Sequence, residues 1–159
     1  MGRNKYPEET VAKILDAALE LFCAQGYEGT SIQDIVDRLD GMTKGAIYHH
    51  FKSKEEIFNA SFDRAMAPVV ERRRATLGAG NMTGAQKLKR LYAPESVVPQ
   101  IELWARMHPA ADPVKSSRLL AMQYQGSFDE SADGYLLPVI EEGIAVGSIA
   151  CECPREAAE

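Results

Sequence analysis

The chain has 159 residues with a formal net charge of −5, and it is 45% hydrophobic and 26% charged. That balance suits a globular protein able to bury a core, and its acidity argues against a non-specific nucleic-acid coat protein. No apolar run approaches the roughly 20 residues that span a bilayer, and Met1–Lys5 has no apolar stretch behind it, so a membrane segment and a secretory signal are not expected and the cytoplasm is the default compartment.

The first long helix is expected from Pro7 to Ala24, with Val11, Ile14, Leu15, Ala18 and Phe22 on one face. Glu8 and Glu9 favour its positive end, and Gly26 is the expected left-handed stop. The arm before it carries Arg3 and Lys5, expected to be a solvated tail, with backbone contact to a nucleic acid as the alternative. Thr30-Ser31-Ile32-Gln33 fits a capping box with Thr30 as N-cap, and Ile32, Ile35, Val36 and Leu39 follow with helical spacing. Asp40-Gly41-Met42 is a tight turn in which Gly41 can take positive φ. Thr43 then caps a second short helix whose Ile47 and Phe51, four residues apart, share an inward face. Lys44, Gly45, Tyr48, His49 and Lys52 fall outside that face, and between Met42 and Lys54 there are three lysines and no acid. Two short capped helices around a glycine turn make a helix-turn-helix, and the exposed face of the second suits phosphates and a major groove.

The run Thr43-Lys44-Gly45-Ala46-Ile47-Tyr48-His49-His50-Phe51-Lys52-Ser53-Lys54-Glu55-Glu56, preceded by Thr30-Ser31 and Ile35, resembles the DNA-binding domain of TetR-type transcriptional regulators. The resemblance extends from about Glu8 to Phe62, and Gly45–Lys54 is its specific part. The turn Leu39-Asp40-Gly41-Met42 is one residue longer than the usual form, which makes base contacts less transferable than phosphate contacts. The resemblance implies an all-α fold with a helix-turn-helix domain over residues 1–52, a connecting helix from 53, and a regulatory body over 53–159. It implies that Thr30, Tyr48, His49 and Lys54 hold phosphates while Thr43, Lys44, Gly45 and part of Tyr48 approach base edges. Ser31, Ala46, His50 and Lys52 complete the candidate DNA-binding set, His50 with an equally weighted internal hydrogen-bonding role.

Ser53-Lys54-Glu55-Glu56 is a further capping box opening a helix that carries Ile57, Phe58, Phe62, Ala65, Met66 and Val69. Pro68 is expected to kink or end it, and Arg72-Arg73-Arg74 is expected to be its solvated end rather than a second DNA patch. Beyond the loop Leu77–Thr83, helices are expected at Ala85–Tyr92, Val97–Met107, Ser116–Ser131 and Tyr135–Gly147, with breaks at Ala93-Pro94-Glu95-Ser96 and at His108–Pro113. Ser148–Glu152 is the one candidate strand, and Pro154 begins a final helical turn. TetR-type regulators carry a long apolar dimerisation helix at that point, which this sequence is expected to lack.

In that family the helical body holds an effector pocket, and Phe62, Met66, Trp104, Met107, Met122, Gln123, Tyr124 and Phe128 are the large adaptable side chains from which it would be built, core packing being the competing role. The three cysteines, Cys23, Cys151 and Cys153, make no even disulfide set. Cys151-x-Cys153 with His108 is a poor match to zinc spacing, and His49-His50 diverge on a helix by about 100°, so no metal and no other cofactor is expected. No nucleophile elbow, phosphate loop, dinucleotide fingerprint or HExxH is present, which argues against an enzyme. The leading expectation is a ligand-released repressor that binds a palindromic double-stranded DNA operator as a homodimer and answers to a small-molecule effector. Its rivals are a helical protein-interaction module and, more remotely, a metal or redox sensor using Cys151 and Cys153.

Overall fold

The computed structural model describes residues 7–107 and 132–158. Within them the chain is all-α, and it divides into two compact units, Met1–Ala67 with Glu102–Asp112 and Pro68–Ile101 with Pro113–Glu159.

The first unit opens with α1 (Pro7–Gly29), on which Ile14, Ala18 and Phe22 step by fours into a dry core. Gly26 adopts φ 76 and ψ 171, a non-helical region essentially confined to glycine, so it interrupts the helix where the stop is expected, with ψ extended rather than left-handed. One more turn carries the chain to Thr30. The kink brings Tyr27 against Phe22 and Phe58, with ring centroids 5.9 and 5.2 Å away, while Phe22 and Phe58 pack edge to face at 5.0 Å.

The cap of α2 (Ile32–Arg38) lies one residue later than the sequence suggests. Ser31, not Thr30, accepts from the third amide, and Asp34, not Gln33, reaches back to the Ser31 amide at 2.7 Å. Thr30 has another partner: its buried hydroxyl donates to the Gly26 carbonyl at 2.8 Å, stabilising the kink. Leu39–Met42 forms the turn, closed by the Met42 amide on the Leu39 carbonyl at 3.1 Å with Gly41 at φ 73. α3 (Lys44–His50) is capped by Thr43 as expected, and Ile47 and Phe51 are buried.

α4 (Lys54–Leu77) begins one residue after Ser53, whose hydroxyl accepts from the Glu56 amide at 3.1 Å. The Glu56 carboxylate returns to the Lys52 amide at 2.6 Å rather than to Ser53 itself. The helix continues through Pro68 instead of ending there. Proline lacks the amide that would bond the Arg64 carbonyl, and losing one bond in a 24-residue helix does not stop it. The boundary between the two units nevertheless falls at that residue.

In the second unit, α5 (Gly84–Leu91) is opened by a Thr83–Gln86 capping box. α6 (Pro94–Met107) starts inside the expected break, because Pro94 at a first helical position needs no amide. A π-helical turn (Ala132–Leu136) leads into α7 (Leu137–Ala145), and Gly147 at φ 70 terminates it. Ser148–Glu152 is not a strand; the Ser148 and Ile149 amides turn back onto the Gly143 carbonyl at 2.8 and 3.0 Å. α8 (Pro154–Ala158) sets Ala158 against Leu136 and Ile140.

Two features lock α5 to α7. Gly84 sits so close that an added Cβ would stand 2.5 Å from the Val139 carbonyl oxygen and 2.6 Å from the Gly143 Cα. Beside that crossing, the buried Lys87 ammonium donates to both Glu142 carboxylate oxygens at 2.9 and 2.7 Å. A lysine held in so apolar a position requires such a partner.

Candidate nucleic-acid interface and a cavity in the second unit

The surface of α3 follows from its two anchors. With Ile47 and Phe51 fixed in the core, the opposite face must carry Lys44, Gly45, Tyr48 and His49 outward, and Tyr48 is 53% exposed. Gly45 is open to solvent, with only the Thr43 hydroxyl, at 3.9 Å, near the position a Cβ would take. Close packing therefore does not require glycine there, whereas close approach by an external partner would. The Thr43 hydroxyl oxygen accepts from the Ala46 amide at 3.2 Å and still carries a proton to donate. Lys52 is exposed, Ala46 half-buried, and His50 half-buried with its ring centroid 5.2 Å from that of His49 and 6.5 Å from that of Phe51.

Three candidates are engaged inside the domain. Thr30 is 1% exposed with its hydroxyl already donated, so that group has no reach to a phosphate. Ser31 is exposed but serves as the α2 cap; its amide, and then its hydroxyl, hold the Asp34 carboxyl below the ordinary carboxylate range. Lys54 donates to the Tyr27 carbonyl at 2.8 Å and the Thr30 carbonyl at 3.0 Å, and its ammonium lies 4.1 Å from the Tyr27 ring centroid. It ties α4 to the end of α1, where cations complement the exposed carbonyls. Burial, with Glu55 and Glu28 adding to it, pushes the Tyr27 phenol up.

Among the pocket candidates, Met66 is buried in the first unit's core and Phe62 is half-buried. Trp104 and Met107 lie on α6, while Met122, Gln123, Tyr124 and Phe128 fall outside the described residues, as do Arg3, Lys5 and His108. Neither Phe62 nor Met66 lines the cavity of about 120 Å³ that opens in the second unit. Its wall is made by Val69, Arg72, Arg73 and Thr76 of α4, Leu91 and Tyr92 at the end of α5, Ser96, Val97 and Gln100 of α6, and Tyr135. The arginine run is thus more than a solvated helix end. Arg72 donates to the Glu95 carbonyl, the Arg73 guanidinium carbon lies over the Tyr135 ring 4.5 Å from its centroid, and Arg74 pairs with Glu71 at 2.5 Å. Burial raises the Tyr92 phenol, Tyr135 adds to the rise, and Arg73 opposes it. The signal available in the sequence was the mixture of Arg72-Arg73 with Tyr92 and Tyr135, which spacing along one helix does not bring together.

Among the described residues no three metal-binding side chains converge, Cys23 and Cys151 are half-buried and Cys153 exposed, and burial pushes the Cys23 thiol up. No described helix is long and apolar enough to cross a membrane.

An all-helical chain whose N-terminal unit presents α2 and α3 as a helix-turn-helix belongs to the helix-turn-helix class of proteins. Residues 14–61 match the family described as bacterial regulatory proteins, tetR family. The chain is 41% identical over 64 residues to the HTH-type transcriptional regulator AcrR of Shigella flexneri, a match spanning 40% of this chain and 29% of that protein. It is 47% identical over 53 residues to the regulator SrpR of Pseudomonas putida, spanning 33% of this chain and 24% of the relative. The matches thus cover less than a third of these relatives' lengths. The fold extends further: a solved SmeT–triclosan complex matches with a TM-score of 0.71 at 25% identity over 95% of this chain and 74% of that one. A transcriptional regulator structure from Pseudomonas aeruginosa PAO1 matches with a TM-score of 0.71 at 20% identity over 96% of this chain and 73% of the other.

Proposed function

We propose that the protein is a sequence-specific, DNA-binding transcriptional regulator, a repressor released by a small-molecule effector. The observation that carries the reading is the outward face of α3, where Lys44, Gly45, Tyr48 and His49 stand opposite a buried Ile47–Phe51 anchor with no acid between Met42 and Lys54. Lysine supplies charge for phosphates, Tyr48 a rigid hydroxyl, and Gly45 clearance at the groove. In this reading residues 1–52 are the DNA-binding domain, α4 connects it to a regulatory body over 53–159, and the protein works in the cytoplasm. Two copies would set their α3 helices in successive major grooves about 34 Å apart, which requires a palindromic operator. An effector that prefers the non-binding arrangement lowers operator affinity by its differential affinity for the two states.

Thr43, Lys44, Gly45, Ala46, Tyr48, His49, His50 and Lys52 form the proposed contact set. The Thr30 hydroxyl is excluded from it, and Ser31 and Lys54 first serve the scaffold. The test is fluorescence anisotropy with duplexes from the gene's own upstream region at two salt concentrations. Salt-dependent binding to one duplex, well above a scrambled control, is expected. Equal weak binding to every duplex, or none, would favour a helical protein-interaction module instead.

A further inference from the structure

The second unit's cavity contains a positive group whose charge nothing described neutralises. Arg73 is half-buried with its guanidinium carbon over the Tyr135 ring, 4.5 Å from the centroid, yet among the described residues no carboxylate pairs with it. The contact with the ring engages none of the guanidinium N–H donors in a hydrogen bond among the described residues, and these are the donors that take a carboxylate. Gln100, also half-buried in the wall, has no hydrogen-bond partner among the described residues. Three other polar groups of the wall are committed: the Thr76 hydroxyl donates to the Arg72 carbonyl at 3.0 Å, the Ser96 hydroxyl to the Arg90 carbonyl at 3.0 Å, and Arg72 to the Glu95 carbonyl. Val69, Leu91 and Val97 supply an apolar wall. The volume of about 120 Å³ is close to the roughly 150 Å³ that accommodates a single benzene ring.

Arg72 and Ser96 also line a shallower neighbouring groove that carries Lys89, Arg90 and one acid, Glu95. Three cations against one carboxylate make an approach that favours anions. A nucleic-acid phosphate does not fit these observations, because Arg73 lies half-buried in a cavity rather than on a protruding face.

We propose that this cavity binds a small aromatic monocarboxylate, the Arg73 guanidinium and Gln100 amide taking the carboxylate and Val69, Leu91 and Val97 the ring. As an effector site the cavity rests on the regulator reading above; as a binding site it rests on its own geometry, so its test is read without DNA.

The test uses the full chain and sodium benzoate, followed by calorimetric titration. A ligand of about nine non-hydrogen atoms held by one ion pair is expected to bind with a Kd of about 0.1–1 mM. Benzamide, which has the same shape without the charge, is expected to bind at least about tenfold more weakly. Arg73→Gln should weaken benzoate by about tenfold or more while leaving benzamide unchanged, and Arg73→Lys should lose less. Preserved far-UV circular dichroism in both variants separates lost recognition from lost folding. Equal affinity for benzoate and benzamide, undiminished benzoate binding by Arg73→Gln, or no saturation by about 10 mM would overturn the proposal. Saturable binding that leaves operator affinity unchanged would uphold the site and sink its role as an effector pocket.

Discussion

Lys54 offers the most direct separation of scaffold from DNA contact. Its ammonium makes two charge-assisted hydrogen bonds to carbonyls at the end of α1, at 2.8 and 3.0 Å, and sits over the Tyr27 ring. Lys54→Met keeps the aliphatic stem and removes the charge, so packing is largely conserved. Each bond to a charged group is worth about 1 kcal/mol or somewhat more at this half-buried site, and the ring contact adds about 0.5 kcal/mol. The expected loss is therefore about 2–3 kcal/mol, because water can partly replace the ammonium at the carbonyls. In urea, with a slope of about 2 kcal/mol per M, the unfolding midpoint should fall by about 1 M. The second readout is the salt dependence of operator binding under conditions where the variant is folded. A phosphate contact would flatten the logarithmic slope by about one unit, whereas a pure scaffold role leaves it unchanged. An unfolding midpoint equal to that of the parent protein would refute the structural reasoning, whatever happens to the DNA.

Gly45→Leu should fold normally, since nothing but the Thr43 hydroxyl lies near the added carbon, and it should abolish operator binding; normal anisotropy titrations would refute close approach at this position. Gly84→Ala places a methyl 2.5 Å from the Val139 carbonyl and should destabilise the second unit by about 1–3 kcal/mol, visible as earlier hydrogen exchange in α5 and α7. Glu142→Gln strands the buried Lys87 ammonium and should cost about 2–3 kcal/mol, discounted because the glutamate is itself partly exposed; Lys87→Met should cost less, and the reverse order in thermal melts would count against a desolvated lysine. Asp34 has a depressed carboxyl pKa in the folded state. Its cap therefore contributes stability above the ordinary carboxylate pKa, and that contribution is lost as pH falls through the depressed folded value. Asp34→Asn should lose the acid-dependent part, so parent and variant stability curves should converge at low pH; parallel curves would deny the linkage.

The parts of the fold legible in the sequence were those fixed by local physics. Ile47 and Phe51 at helical spacing, the Thr43 cap, and Gly26 and Gly41 at positive φ all follow from neighbours within four residues. Where the reading slipped, a distant or competing partner decided the outcome. Thr30 and Ser31 are both good caps, and the choice between them fell to the Gly26 carbonyl, which takes the Thr30 hydroxyl and moves the box onto Ser31 and Asp34. Of the kink or end expected at Pro68, the end does not occur, because α4 is long enough to continue past one missing bond.

The same division governs the candidate sites. Lys44, Gly45, Tyr48 and His49 are exposed because their neighbours are core, so a linear pattern is enough to find them. Lys54 looks identical to them in sequence, and only the folded kink at Gly26 presents it with the carbonyls of Tyr27 and Thr30. The cavity is less legible still. Its apolar residues are unremarkable, its arginines resemble a solvated helix end, and Tyr135 is 62 residues from Arg73 along the chain (135 − 73). The α4 stripe of Val69, Arg72, Arg73 and Thr76 has helical spacing, but nothing in it indicates that residues of α5 and α6 and Tyr135 close a pocket over it. What identifies it is a charge without a described counter-charge, and that property exists only after the chain has folded.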